Sequence, residues 1–396
     1  MKKIMTIALS TLFVLTIYAQ TESTILEKAN GLVVNKKYET AFKTLQDFDP
    51  KNENPNIVLL KEDIALNYFV TSIMHEMFAF KDLKENEDIM DFRGKNGSFG
   101  MYNFSIDSIL GKLIQIYPDN YKLYKGLGDF YYQAQLKYGG KWLKDEETLT
   151  NLIIKNYQVA IDHKIADDKV YYATGYQYLT QSKYKEAIPL FLKSIELNND
   201  FSDAHYNLAF AYLYVDDREN ALKYAKNSLE LYKDAELKSD AARMIAQIYS
   251  ELKDNNNAIK YYELADKIDK ENYYNLKPLL ALYVETNNPK KEEMLNSFYN
   301  LAPDKPTIYN DLGNIYFENK KTGELIEFFK SKLLTYKNEN KIIGNLNFYL
   351  GRLYIDSDKK TAKEYFLKAK STFSIIYDKN NQVFKAIEDG IKQTKN

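Results

Sequence analysis

Between residues 168 and 269 the chain alternates helix-length blocks, in which small and bulky apolar residues share one face, with short polar turns. Gly175, Tyr178, Ala187 and Phe191 are followed 34 residues later by Ala209, Tyr212, Ala221 and Ala225. Ala246, Tyr249, Ala258 and Tyr262 repeat the pattern 37 residues further on. A period in this range predicts stacked helix pairs, each burying its apolar face on the next, rather than a globule around one active site. The three-residue excess before the third copy is expected in a turn near Lys233 to Lys238.

The pattern continues more loosely on both sides. Residues 272–305 keep the length but carry Pro278 inside a helix, where a kink or a shortened helix is expected. Residues 306–339 hold Tyr309, Leu312, Gly313, Tyr316, Leu325 and Phe329, and the stretch from Gly344 holds Leu350, Gly351, Tyr354, Ala362, Phe366 and Ala369. A last helix over Asn381 to Lys392 would cap the stack. Upstream, Leu127, Gly128 and Tyr131 mark one helix, and Leu149 to Ile161 its partner. Ser105 to Tyr117 reads as a helix capped by Ser105, and Ile57 to Phe80 as one long helix. Leu26, Ala29, Leu32, Ala41 and Leu45 mark a first pair. The total is about eight pairs.

Small residues at positions 8 and 20 of a 34-residue unit, with bulky ones at 4, 11 and 24, resemble the tetratricopeptide repeat (TPR) family. The resemblance is strongest over 168–269. It implies an all-α, right-handed α-solenoid of helix-turn-helix repeats. The expected layout is a signal peptide at 1–19, degenerate pairs with inserted loops at 20–167, the best units at 168–269, further degenerate units at 270–375 and a capping helix at 376–396.

In the family, positions 2, 5, 9, 12 and 13 of each first helix line a concave groove. The resemblance therefore places Tyr172, Tyr176, Tyr206, Phe210 and Tyr214 in a peptide-binding groove, where repeated aromatic rings suit an extended or helical peptide. Ring packing within the solenoid, or an AT-rich codon usage that inflates tyrosine, accounts for the same residues without a ligand. The clamp that grips chaperone carboxylates in some TPR domains is not matched: Tyr172, Tyr176, Asp240 and Met244 depart from it, and Asn207 alone fits.

Composition narrows the function. Fifty-four Lys and Arg face 55 Asp and Glu, which argues against a nucleic-acid binder. The absence of Cys excludes disulfides and thiolate chemistry. Lys2 and Lys3, the apolar Ile4 to Tyr18 and the small Ala19 read as an export signal, and no later segment is apolar enough to span a membrane. His75, His163 and His205 do not sit at metal-ligand spacing, and His205 falls at a core position. No nucleotide loop, nucleophile elbow or zinc-protease motif is present. The Gly94 to Gly100 stretch reads as a flexible loop, and the Asp167-Asp168 and Asp216-Asp217 pairs as caps and turns. The expectation is an exported, non-enzymatic scaffold without cofactor or metal, periplasmic or secreted, that binds a protein or peptide. The alternatives are a carbohydrate module using exposed Tyr and Trp142, and an enzyme with its chemistry in 81–145.

Overall fold

The computed structural model describes residues 21–95, 97 and 99–395, so the expected signal segment (Lys2, Lys3, Ile4 to Tyr18, Ala19) lies outside the described residues, as do Asn96 and Ser98 of the glycine-rich loop. The chain divides into two compact units at Asp216/Asp217. The first holds α1 (21–34), α2 (Tyr38–Phe48), α3 (Pro55–Asn67), α4 (Ile106–Ile116), α5 (Tyr121–Tyr138), α6 (Glu146–Asp162), α7 (Asp168–Thr180), α8 (Tyr184–Leu197) and α9 (Ser202–Tyr214). The second holds α10 (Arg218–Leu231), α11 (Ala235–Glu251), α12 (Asn255–Ile268), α13 (Tyr273–Glu285), α14 (Lys291–Asn300), α15 (Pro306–Glu318), α16 (Thr322–Thr335), α17 (Asn340–Tyr354), α18 (Lys359–Phe373) and α19 (Gln382–Gln393). Within each unit, successive helices pack in chain order. First helices of neighbouring pairs also meet, α3 on α5, α5 on α7 and α7 on α9 in one unit, α13 on α15 and α15 on α17 in the other. This is the stacked helix-turn-helix arrangement of an α-solenoid.

Close approach of paired helices explains the small residues. A Cβ on Gly128 would stand 2.6 Å from the Tyr157 ring, and one on Gly351 2.8 Å from the Phe366 ring. Ala187, Ala209, Ala221, Ala246, Ala258 and Ala362 are fully buried. Gly313 occupies the same repeat position, yet a Cβ there would meet nothing within 4 Å. Its smallness is not a packing requirement.

Four of the turns within pairs share one geometry. Ser182, Lys253, Asn287 and Lys320 all adopt left-handed backbone conformations. The following amide reaches back to a tyrosine carbonyl each time: Lys183 to Tyr178, Asp254 to Tyr249, Asn288 to Tyr283 and Lys321 to Tyr316, at 2.8–2.9 Å. That bond closes a Schellman motif and satisfies a carbonyl the helix end would leave orphaned. The expected Asp caps are present. Asp167 accepts from the Val170 amide at 2.9 Å, and Asp217 from the Asn220 amide at 3.1 Å.

Several expectations are corrected. The Ile57 to Phe80 stretch is not one helix. Helix α3 ends at Asn67, and a three-stranded antiparallel sheet follows: β1 (Thr71–Ile73), β2 (Met77–Ala79) and β3 (Met101–Asn103), in that order. Phe78, Phe80 and Phe104 are buried there, and Phe42 of α2 stacks on Phe80 at 4.6 Å. Pro278 does not shorten α13, which runs through it to Glu285. The carbonyl it leaves without a donor belongs to Tyr274, an exposed residue of the first turn. The three-residue excess is not a longer turn. Helix α11 starts at Ala235, capped by Asp234, so the added residues extend the helix at its start. Ser105 does occupy the N-cap position of α4, but its side chain makes no capping bond.

Candidate functional site

The five aromatics expected to line a groove all lie in the first unit, on α7 and α9, which pack together. Four of them form two clusters, and Tyr206 lies half-buried on α9. In the first, Tyr172 and Tyr176 lie one helical turn apart on α7 with ring centroids 6.2 Å apart. Tyr172 also contacts Phe201 at 4.6 Å and Phe191 at 5.8 Å, and its hydroxyl accepts from Asn207 Nδ2 at 3.0 Å. This groove position therefore also takes part in helix pairing. Tyr172 joins α7 to α8 and to the start of α9.

In the second cluster Phe210 and Tyr214 of α9 are 4.6 Å apart. Tyr184, the first residue of α8, stacks on Tyr214 at 4.7 Å and meets Phe210 at 6.3 Å. Tyr214 is 57% exposed, whereas Tyr172, Tyr176, Tyr206 and Phe210 are half-buried. Ring faces held by neighbours but open on one side have little rotamer entropy left to lose on binding.

Sequence reasoning missed two members. Tyr184 belongs to a second helix, and the repeat frame assigns the groove to first helices. Tyr132 of α5 falls at position 12 if Gly128 is position 8, in a unit outside the two strongest ones that supply the groove residues. Burial, then Tyr176, then Asp203 raise the Tyr132 hydroxyl above the ordinary tyrosine range. Burial, then Tyr132, then Asp203 do the same at Tyr172. Tyr132, Tyr172, Tyr176 and Asp203 thus share one neighbourhood, and Tyr132 and Tyr172 stay neutral there.

Further along α5 the face becomes charged. Lys125 bonds Asp129 at 2.9 Å and Asp167 at 3.2 Å. Burial opposes its charge, but the two carboxylates outweigh burial and raise its pKa. Tyr157 donates to Asp129 at 2.9 Å. Glu62 of α3 is buried nearby. Burial first, then Asp129 and Asp63, push its pKa well up. Lys125, Asp129, Asp167 and Tyr157 are thus paired with one another. Among the described residues no cluster of His, Cys, Asp or Glu could hold a metal ion, and no helix is long and apolar enough to cross a membrane.

The other singled-out residues have structural settings. His205 is buried, and its Nε2 lies 2.9 Å from the Asn199 carbonyl. Trp142 is half-buried with Tyr138 edge-on at 4.9 Å, so its ring is partly occupied from within. His163 stacks on Tyr121 at 3.4 Å.

Two segments match known families: residues 175–214 match "TPR repeat" and residues 244–272 match "Tetratricopeptide repeat". No curated protein matches the chain. Among solved structures it is similar to a tetratricopeptide repeat protein from Parabacteroides merdae ATCC 43184, at 17% identity, covering 67% of this chain and 100% of that one with a TM-score of 0.40. It is also similar to MamA, at 18% identity over 42% of this chain and 88% of that one, TM-score 0.35. A third is pilF of Pseudomonas aeruginosa, at 15% identity over 56% of this chain and 96% of that one, TM-score 0.35. The repeat matches support a protein-interaction scaffold, and on 175–214 and 244–272 this chain carries tetratricopeptide repeats.

Proposed function

We propose that this chain is an exported, non-catalytic scaffold that binds a peptide segment of a partner protein and serves a cell-envelope assembly. The observation that carries the reading is the row of half-buried to exposed aromatic rings on consecutive first helices, Tyr172 and Tyr176 on α7, then Phe210 and Tyr214 on α9, with Tyr184 supporting the last two. Rigid aromatics with one free face make interface hot spots, and truncating one costs ~2 kcal/mol or more of binding. Tyr132 and Tyr206 belong to the proposed site by position. Export rests on Lys2, Lys3 and the apolar Ile4 to Tyr18.

The test is the pair Tyr176→Ala with Phe210→Ala, compared with the wild type for partners captured from envelope extract and for helix content by circular dichroism. The proposal expects capture to fall at least tenfold with helix content unchanged. Equal capture by both proteins would remove the aromatic face from the function. Export is tested by N-terminal sequencing of the mature protein, which should begin within a few residues of Gln20. An intact Met1 form confined to the cytosol would refute it.

A further inference from the structure

The three-stranded insertion and the end of α5 enclose a cavity of about 430 Å³, within the range of small-ligand sites. Among the described residues two cations line it, Arg93 and Lys137, and no carboxylate does. Both stand over one ring, Phe69, with the guanidinium 4.3 Å and the ammonium 4.7 Å from its centroid. Among the described residues neither is ion-paired. Arg93 donates to the backbone carbonyls of Asn67 at 2.7 Å and Phe69 at 3.3 Å, which fixes its plane and leaves Nη1 unused by those bonds. Lys137 donates to Ser72 Oγ at 2.8 Å, and that hydroxyl lies 3.1 Å from His75 Nδ1. His75 itself is buried in the β1–β2 turn, with Tyr138 3.2 Å from the same nitrogen. Its pKa is pushed down to about 4 by burial and by Lys137 and Arg93, so it adds no charge at neutral pH.

Two like charges gathered in a half-enclosed space, each positioned by neutral partners, repel one another. Burial first, then Arg93, lowers the pKa of Lys137. An anion between them would convert that repulsion into two charge-assisted hydrogen bonds. Gln133 and the Ser72 and Thr71 hydroxyls supply further polar atoms, while Leu66, Phe69 and Leu136 give the cavity an apolar wall. An apolar wall disfavours a fully hydrated dianion and favours a single negative charge carried on an apolar body. We infer that the cavity between the β1–β2 hairpin and the end of α5 binds an organic carboxylate with an apolar body, its carboxylate held between Arg93 and Lys137. This site is separate from the aromatic face, and neither depends on the other.

The test is isothermal titration of the full chain with four probes: N-acetyl-Leu-Leu with a free carboxylate, the same peptide as its C-terminal amide, octanoate, and inorganic phosphate. The free-acid peptide or octanoate should bind at least tenfold more tightly than the amide, and Lys137→Met should remove that difference. Lys137 is exposed, so the variant is expected to fold, and the acid-against-amide comparison stands on the wild type alone. Whichever carboxylate binds more tightly identifies a peptide end or a fatty acyl chain as the source. Equal binding of acid and amide, no binding of either carboxylate, or phosphate bound as tightly as the carboxylates would overturn the inference.

Discussion

At residue scale, three glycines at one repeat position separate local propensity from packing. Gly313 and Gly351 both lie inside helices, where Ala is better than Gly by ~1 kcal/mol. At Gly313 the added methyl meets open space, so Gly313→Ala should stabilise the protein by about that amount. At Gly351 the methyl would press on the Phe366 ring at 2.8 Å, and at Gly128 on Tyr157 at 2.6 Å. Overpacking costs ~1–3 kcal/mol, so both Ala variants should be destabilised despite the better propensity. Denaturant unfolding of the three variants checks this, and a shared sign would mean that the helix contacts are misplaced.

Lys61 offers a pH test at the same scale. Its side chain is fully buried, donates to Gln46 Oε1 at 2.6 Å and to Asn52, and stands over Phe104 at 5.1 Å. Burial pushes its pKa down to about 8, with Asp49 acting in the opposite direction. Because the folded pKa lies below the unfolded one, the unfolded chain holds more protons between pH 8 and 10.5, and stability contributed by this group climbs with pH across that window. Measured as wild type minus Lys61→Met, the gain between pH 7 and 10 should be about 2 kcal/mol. A flat difference would mean that Lys61 stays solvated.

At the scale of elements, the repeated turn makes a separate prediction. A left-handed residue with a Cβ costs roughly 1–2 kcal/mol, and glycine escapes that cost while losing more backbone entropy on folding. Lys253 is exposed and left-handed, so Lys253→Gly should stabilise by about 0.5–1 kcal/mol and Lys253→Val should destabilise. The sequence concealed this turn because none of Ser182, Lys253, Asn287 and Lys320 is the glycine that usually marks a left-handed helix end. It also concealed the sheet. The apolar run from Ile57 continues through Val70 to Phe80 with no Gly or Pro, and the β1–β2 turn uses Met74 and His75 in left-handed conformations. The helix pairs were legible because their small residues are spaced by contact geometry, as Gly175 against Phe191 shows. In the candidate site the legible part was which helix face carries rings. That Tyr172 also packs on Phe201 depends on where the next helix begins, which no single-helix frame encodes.

At the scale of the whole molecule, a net charge of −1, paired carboxylates and an aromatic face underlie the proposed scaffold, whose recognition is proposed to be apolar. Lys125 and Asp129 on α5 are paired internally, so binding at the rings should change little with salt, unlike binding at the Arg93–Lys137 cavity. The most direct measurement is in-cell photo-crosslinking from a benzophenone amino acid placed at Tyr214, the exposed end of the aromatic row, with a second probe at exposed Lys185 on α8 as control. The account predicts a discrete adduct from position 214 that disappears when Tyr176 and Phe210 are both changed to Ala, and none of that size from position 185. The same adduct from both positions, or one from 214 that survives the double substitution, would contradict it.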